Sequence, residues 1–285
     1  STNAMAYVRG NAADYDSWAE LGNSGWSFKE LLPYFKRSEN HAQIDDMDQG
    51  YHGSNGELNV TIPTKFQSAY VNSFISACAA NGIPTNPDYN GVSQHGSNLV
   101  QSTIKNGKRD SGATAFLKPI LNRKNLTAIS FAQVEKIIFE DKKAIGVKYR
   151  KGNKLIKVNT KKEIILSAGA FQSPQLLMLS GIGETLELNK HGIRTIHELK
   201  GVGKNLQDHL FFPVCAQSKT QEGINHYIPL LEQLKAAWNY FVHRKGVFCT
   251  GPLEGMAFFD LNLKGGKVNF QFHFSPIWLG NKYGY

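Results

Sequence analysis

Residues 166–183 read LSAGAFQSPQLLMLSGIG, and they constrain the fold more than any other stretch. The apolar residues Ile164, Ile165 and Leu166 lead into Ala168 and Gly169. A continuous apolar run of this kind predicts a buried, parallel-type strand over 163–167. Ser173 then reads as a helix N-cap and Pro174 as the first helical residue. The helix predicted through Leu176, Leu177 and Leu179 stops at Gly181. Strand, glycine turn and helix make the crossover unit of an α/β fold. A crossover can serve only as a connection, or it can bring a helix N-terminus to an anionic ligand. Spacing alone leaves both open.

The chain enters this unit through LTAISFAQVEKIIFEDKKAIGVKYRKGNKLIKVNTKKEIILSAG. Its short β-rich runs are separated by EDKK and RKGNK, which read as hairpin turns, so a β-meander is expected. A meander feeding a crossover suggests a dinucleotide-binding fold, yet no complete G-x-G-x-x-G follows a strand. GIGETL at Gly181 and GVGKNL at Gly201 both lack the third glycine, and the first follows a helix, so both read as decoys.

Elsewhere, residues 11–55 hold one short helix candidate, GWSFKELLPYFKRSE. Ser27 and Glu30 form a capping box there, and Pro33 is expected to bend or end the first turn. GELNVTIP (56–63) alternates like a half-buried strand. QSAYVNSFISACAANG (67–82) has helical spacing and a stop at Gly82. Residues 83–112 read as loop. PLLEQLKAAWNYFVHRKG predicts a helix with a broad apolar face of Leu230, Leu231, Leu234, Ala237, Trp238 and Phe241. KVNFQFHFSPIW (267–278) reads as a strand.

The formal charge of +9 gathers between Lys142 and Lys162. Lysines in exposed hairpins are usually just solvated, and no aromatic platform accompanies them, so no nucleic-acid partner is expected. Cys78, Cys215 and Cys249 are far apart and suggest neither a metal site nor a disulfide. They fit a reducing compartment, so a cytoplasmic protein, or one peripheral to a membrane, is expected. No apolar run reaches the roughly 18 residues of a membrane span. His41, His52, His95 and His273 carry no spacing that suggests a metal or a base, and no metal is expected. His209, in LQDHL, is the tempting candidate for a base, but a structural hydrogen-bonding role is the one expected.

Several motifs together resemble the glucose-methanol-choline oxidoreductases, a family of FAD-dependent alcohol oxidases and dehydrogenases. GAFQSPQLLMLSGIG resembles that family's second signature, and STNAMAYVRGN the tail of its first. YHGSNGELNV, GVGKNLQDH and QFHFSP occur in matching order. The resemblance covers nearly the whole chain and is closest to the bacterial choline-dehydrogenase and alcohol-dehydrogenase branch.

The resemblance implies FAD. Asn3, Ala4 and Met5 would pass the isoalloxazine and ribityl side, Val134 would meet the adenine, and Ala168 and Gly169 would flank the adenosine-pyrophosphate half. Small residues at 168–170 would let backbone and ligand approach closely. Glu254, in GPLEGMAFF, would lie on the substrate side of the flavin; the alternative is a surface carboxylate in a glycine-rich turn. Where the family's covalent members carry a flavin-linking His, this chain has Thr2, so non-covalent FAD is expected in the parent protein. The family's fingerprint unit and its C-terminal His segment have no match here, so no catalytic residue is assigned. The isolated chain is expected to be inactive and to bind FAD weakly or not at all.

The fold class expected is α+β: a partial FAD-binding α/β domain with a β-meander, interleaved with an antiparallel-sheet substrate domain. Residues 1–50 and 110–208 would form the first, and 51–109 and 209–285 the second. The parent would oxidise a small-molecule alcohol, choline or another primary alcohol, with a base taking the hydroxyl proton and flavin the hydride. The electron acceptor is not assigned. Two other classes stay open: a different FAD or NAD(P) enzyme sharing only the crossover, and a non-catalytic binding or structural fragment.

Overall fold

A computed structural model describes residues 4–220, 222–261 and 268–277. It is a mixed helix-and-strand protein whose contacts form two units, Ser1–Arg123 with Cys215–Tyr285, and Lys124–Val214. This grouping by contact is a different division from the functional one expected above, which takes parts of both units for each domain.

In the larger unit two capping boxes start two helices. Asn11 accepts from the Ala13 amide, and Asp14 reaches back to the Asn11 amide, opening Ala12–Glu20. That helix is absent from the sequence reading. Its signal is an Asn-x-x-Asp box in place of the commoner Ser-x-x-Glu. Ser27 and Glu30 do the same for Phe28–Ser38. Pro33 neither ends nor breaks this second helix, which continues for five more residues.

The helix runs into the strand Glu39–His41, which pairs in parallel with Leu58–Val60, inside the expected 56–63 strand. The Gly53 and Gly56 positions in between lie directly on the helix end. A Cβ at Gly53 would sit 2.0 Å from the Lys36 carbonyl oxygen, and one at Gly56 2.3 Å from the Ser38 carbonyl carbon. The expected helix at 67–82 forms over Ala69–Ala80, with Gly82 at φ 83° beyond its end.

A three-stranded antiparallel sheet runs in the order Phe270–Phe274, Gly255–Phe259, Gly96–Leu99. The last of these falls within residues read as loop. The middle strand is buried along its whole length. Ala257 and Phe259 pack with Cys78 and Ile83, while Met256 and Phe258 pack with Tyr89 and Val100. Covered on both faces, the strand reads in sequence as an unbroken apolar run. The helix Leu230–Trp238 forms where expected, but its apolar face is not core: Leu230, Leu231, Leu234, Trp238 and Phe241 are exposed. No helix among the described residues is long and apolar enough to cross a membrane.

In the smaller unit the meander is present: Gln133–Glu140, Lys143–Lys151 and Lys154–Asn159 pair antiparallel in that order. Asp141 and Gly152 take the left-handed turn positions between them. The strand expected at 163–167 does not form, and Ile165 is 80% exposed. A parallel strand needs hydrogen-bonded neighbours on its edges, and no described strand offers one. The helix that follows is Gly169–Leu179, capped by Ala168, so it starts ahead of the expected Ser173. Ser173 and Pro174 lie inside it, and the Ser173 hydroxyl accepts the Ala168 amide at 3.1 Å. Gly181 ends the helix at φ 90° as expected, and Ile182–Gly183 then pairs in parallel with His197–Glu198.

Candidate active site

Ala4 and Met5 open the described chain; Asn3 and Thr2 lie outside the described residues. Met5 holds a left-handed backbone, φ 70°, which is uncommon for a residue with a Cβ. Its carbonyl is fixed by the Thr103 amide at 2.8 Å, Ala6 bridges Ser102, and the Tyr7 amide donates to the Gln101 carbonyl. From the other side Gly251 lies against this turn. A Cβ there would come within 2.8 Å of the Ala4 carbonyl oxygen. A strained turn is thus clamped between residues 101–103 and 251.

Three residues on from Gly251 stands Glu254, only 3% exposed, so it is not a surface carboxylate. Its oxygens accept the Ser68 amide at 3.0 and 3.2 Å and the Ser68 hydroxyl at 2.5 Å. Ser68 is the N-cap of Ala69–Ala80, and its own side chain makes no capping bond to the helix. The carboxylate therefore sits at the positive end of that helix. The structure places the expected cofactor-loop residues Ala4 and Met5 and the expected substrate-side residue Glu254 in one unit, joined through 251–254.

Val134, Ala168 and Gly169 belong to the other unit. Val134 pairs with Tyr149 on the first meander strand and is 36% exposed. Ala168 and Gly169 open the helix that packs on that strand. Gly169 has φ 88°, and a Cβ added there would meet nothing within 4 Å. Its backbone faces open space in a conformation that suits glycine. Ser180 clips helix to strand: its hydroxyl donates to the Leu176 carbonyl and accepts the Ile137 amide. His209 is exposed, with Nδ1 3.2 Å from Asp208.

The sequence reading missed a buried charge network. Arg9 Nη2 lies 2.8 Å from Glu39 Oε2. His52 Nδ1 lies 3.0 Å from Glu39 Oε1, and His52 Nε2 2.9 Å from Asp88 Oδ2. Gln101 and the Asn90 amide donate to the other Asp88 oxygen, and the Asn90 side chain accepts the Arg9 amide and donates to the Tyr7 carbonyl. The network thereby fastens the segment that follows Met5. Donor atoms of Glu39, His41 and His52 lie within 4.8 Å of one another, a spacing that could hold a metal. The hydrogen-bond pattern argues for a different role. Both His52 ring nitrogens face carboxylates, so the ring is an imidazolium with no lone pair to give, and Arg9 already neutralises Glu39. Burial alone would lower the His52 pKa, but the hydrogen bonds and charges of Asp88 and Glu39 outweigh it and raise it to about 9. Burial also opposes ionisation of Asp88, yet its bonds to His52, Gln101 and Asn90 hold it below the ordinary carboxylate value. Burial pushes His41 down, only partly offset by Glu39, so it is neutral.

A GMC oxidoreductase family model matches residues 1–211, close to three-quarters of the chain. This chain belongs to the GMC oxidoreductase family. Among curated GMC relatives it is 39% identical over 284 residues to an alcohol dehydrogenase [acceptor] of Pseudomonas putida, and 38% identical over 277 residues to an oxygen-dependent choline dehydrogenase of Rhizobium etli. These alignments cover 98% and 97% of this chain and 50% of each relative, so the chain spans about half their length. Among solved structures it is similar to an FAD-dependent oxidoreductase from Chaetomium thermophilum. That similarity has 31% identity and a TM-score of 0.83, and covers 92% of this chain and 48% of the other. It is also similar to a formate oxidase, at 27% identity and a TM-score of 0.78 over 90% of this chain and 45% of the other. The Ala4–Met5 turn and the Ala168–Gly169 helix start both fall within the matched residues.

Proposed function

We propose that this chain supplies cofactor-facing and substrate-facing parts of an FAD-dependent alcohol dehydrogenase that oxidises choline or another primary alcohol. Residues 1–50 and 110–208 would belong to the FAD side, and 51–109 and 209–285 to the substrate side. Asn3, Ala4, Met5, Val134, Ala168 and Gly169 would contact FAD, and Glu254 would stand on the substrate side. The observation that carries the reading is the family match over 1–211, which takes in all of these cofactor residues.

The residues present fit such a group. Met5 is held in a left-handed turn, and Gly169 leaves open space where any Cβ would stand. When bound, FAD supplies the redox chemistry, as the acceptor of the alcohol's hydride. The chain's own part is to bind and orient. Thr103 and Gly251 fix the turn, and Glu254 fixes the helix that begins at Ser68.

The test uses the full-length protein. It should show a flavin absorption band and reduce a dye acceptor with choline or a simple primary alcohol. Acid precipitation should release the flavin into the supernatant, as expected with Thr2 at the position of a linking His. A colourless protein that binds no added FAD sinks the reading, and yellow colour in the pellet sinks its non-covalent part.

A further inference from the structure

One concavity of the larger unit takes no part in the site described above. It has a volume of about 520 Å³ and is lined by Lys65, Lys105, Lys108, Arg109 and Arg244 beside a single carboxylate, Asp110. That carboxylate is already engaged, accepting the Asn59 amide at 2.9 Å and the Thr114 hydroxyl at 2.7 Å. No ion pair among the described residues includes Lys65, Lys105, Lys108 or Arg244. Like charges gathered on one wall repel one another unless something of opposite sign lies between them.

Arg244 is held in place. Its backbone is left-handed, φ 52° and ψ 44°, which costs an arginine free energy. Its guanidinium carbon stands 4.9 Å from the centroid of the Tyr240 ring, a cation–π contact that fixes the head. The Gly246 amide ties the next turn to the Lys65 carbonyl at 3.2 Å, which brings the two segments together. Yet Arg244 Nη1 is buried and has no hydrogen-bond partner. A buried, charged donor left unsatisfied is destabilising on its own account.

We propose that this concavity binds a small multivalent anion of the phosphate class. Arg244 and the lysines on its wall supply the positive charge that would hold it. The inference stands on side chains of this unit and not on the FAD reading, so either can fail without the other.

The experiment titrates the full-length protein with inorganic pyrophosphate by calorimetry, as purified and after removal of any flavin. Saturable binding is expected, weakening as salt is raised. Arg244→Gln and, separately, the exposed Lys105→Gln should each weaken it about tenfold, the scale of one lost charge-assisted contact. Lys154→Gln, on the meander, should leave it unchanged. If Arg244→Gln does not fold by circular dichroism, Lys105→Gln carries the test. Binding in both forms assigns the site to a separate phosphate-bearing molecule, and binding only after flavin removal assigns it to the cofactor's own phosphates. No saturable binding at millimolar pyrophosphate in either form, or equal losses in Lys105→Gln and Lys154→Gln, overturns the proposal.

Discussion

Glu254 has one carboxylate and two demands on it. Its bonds to Ser68 are structural, and removing the charged partner of such a bonded pair costs about 1.5–3 kcal/mol. Glu254→Ala should therefore lower unfolding free energy by roughly 2 kcal/mol in urea denaturation of the full-length protein. Under the proposed function the same charge also faces a cationic substrate. Glu254→Gln should then raise KM for choline about tenfold, a loss of about 1.4 kcal/mol, and change KM for an uncharged alcohol little. Equal, small changes for both substrates would leave Glu254 as a helix anchor only. Sequence could single out this residue by its motif, but not its partner, because Ser68 lies 186 positions away. The same holds for His52: its carboxylates stand 13 and 36 positions off, and no local spacing carries that information.

Most elements whose determinants are local are legible, the Asn11 box and the true start of the 169–179 helix excepted, and those whose determinants are distant are not. The Ser27 box, the Gly82 stop and the meander turns lie within a few residues of what they control, and each forms as read. The strand at 163–167 was misread because an apolar run says nothing about whether neighbouring strands are there to pair with it. Gly96–Leu99 was missed because its strand character comes from pairing with Gly255–Phe259, far along the chain. Two substitutions test element packing. Ser180→Ala strips the buried Ile137 amide of its acceptor, so stability should fall by about 1–3 kcal/mol and hydrogen exchange at Ile137 should quicken. An unchanged Ile137 exchange rate would mean that the clip is not holding helix to strand. Gly53→Ala puts a methyl group into the Lys36 carbonyl, and the backbone on both sides must move. Roughly 3 kcal/mol of stability should be lost, read as a lower denaturation midpoint. A midpoint within experimental error of the parent would show that the helix end yields freely.

At the scale of the whole molecule, the buried network sets how stability responds to pH. Arg9 and His52 carry two positive charges against Glu39 and Asp88, and the balance holds only while His52 keeps its proton. Its pKa is about 9 in the folded protein and near 6.5 in the unfolded chain. A raised value means that the stabilisation is fully present below about 6.5. It declines as pH rises above that and is gone once pH passes about 9. Across that window the folded state holds one proton more than the unfolded state, so the slope from this residue is at most ~1.4 kcal/mol per pH unit. The acid side runs the other way. Neutral, buried His41 has a lowered pKa, so its contribution is present above the unfolded value and fades as pH falls. Asp88, also lowered, loses its contribution at still more acid pH, as it becomes protonated. Urea midpoints of the protein should therefore peak near neutrality and drop on the alkaline side before lysines titrate. His52→Gln keeps a side-chain amide donor without a titrating proton. It should lower the midpoint at pH 6 and flatten the fall between about 6.5 and 9. If the variant and the parent decline in parallel across that window, the imidazolium does not hold the network together, and the alkaline loss must come from another group.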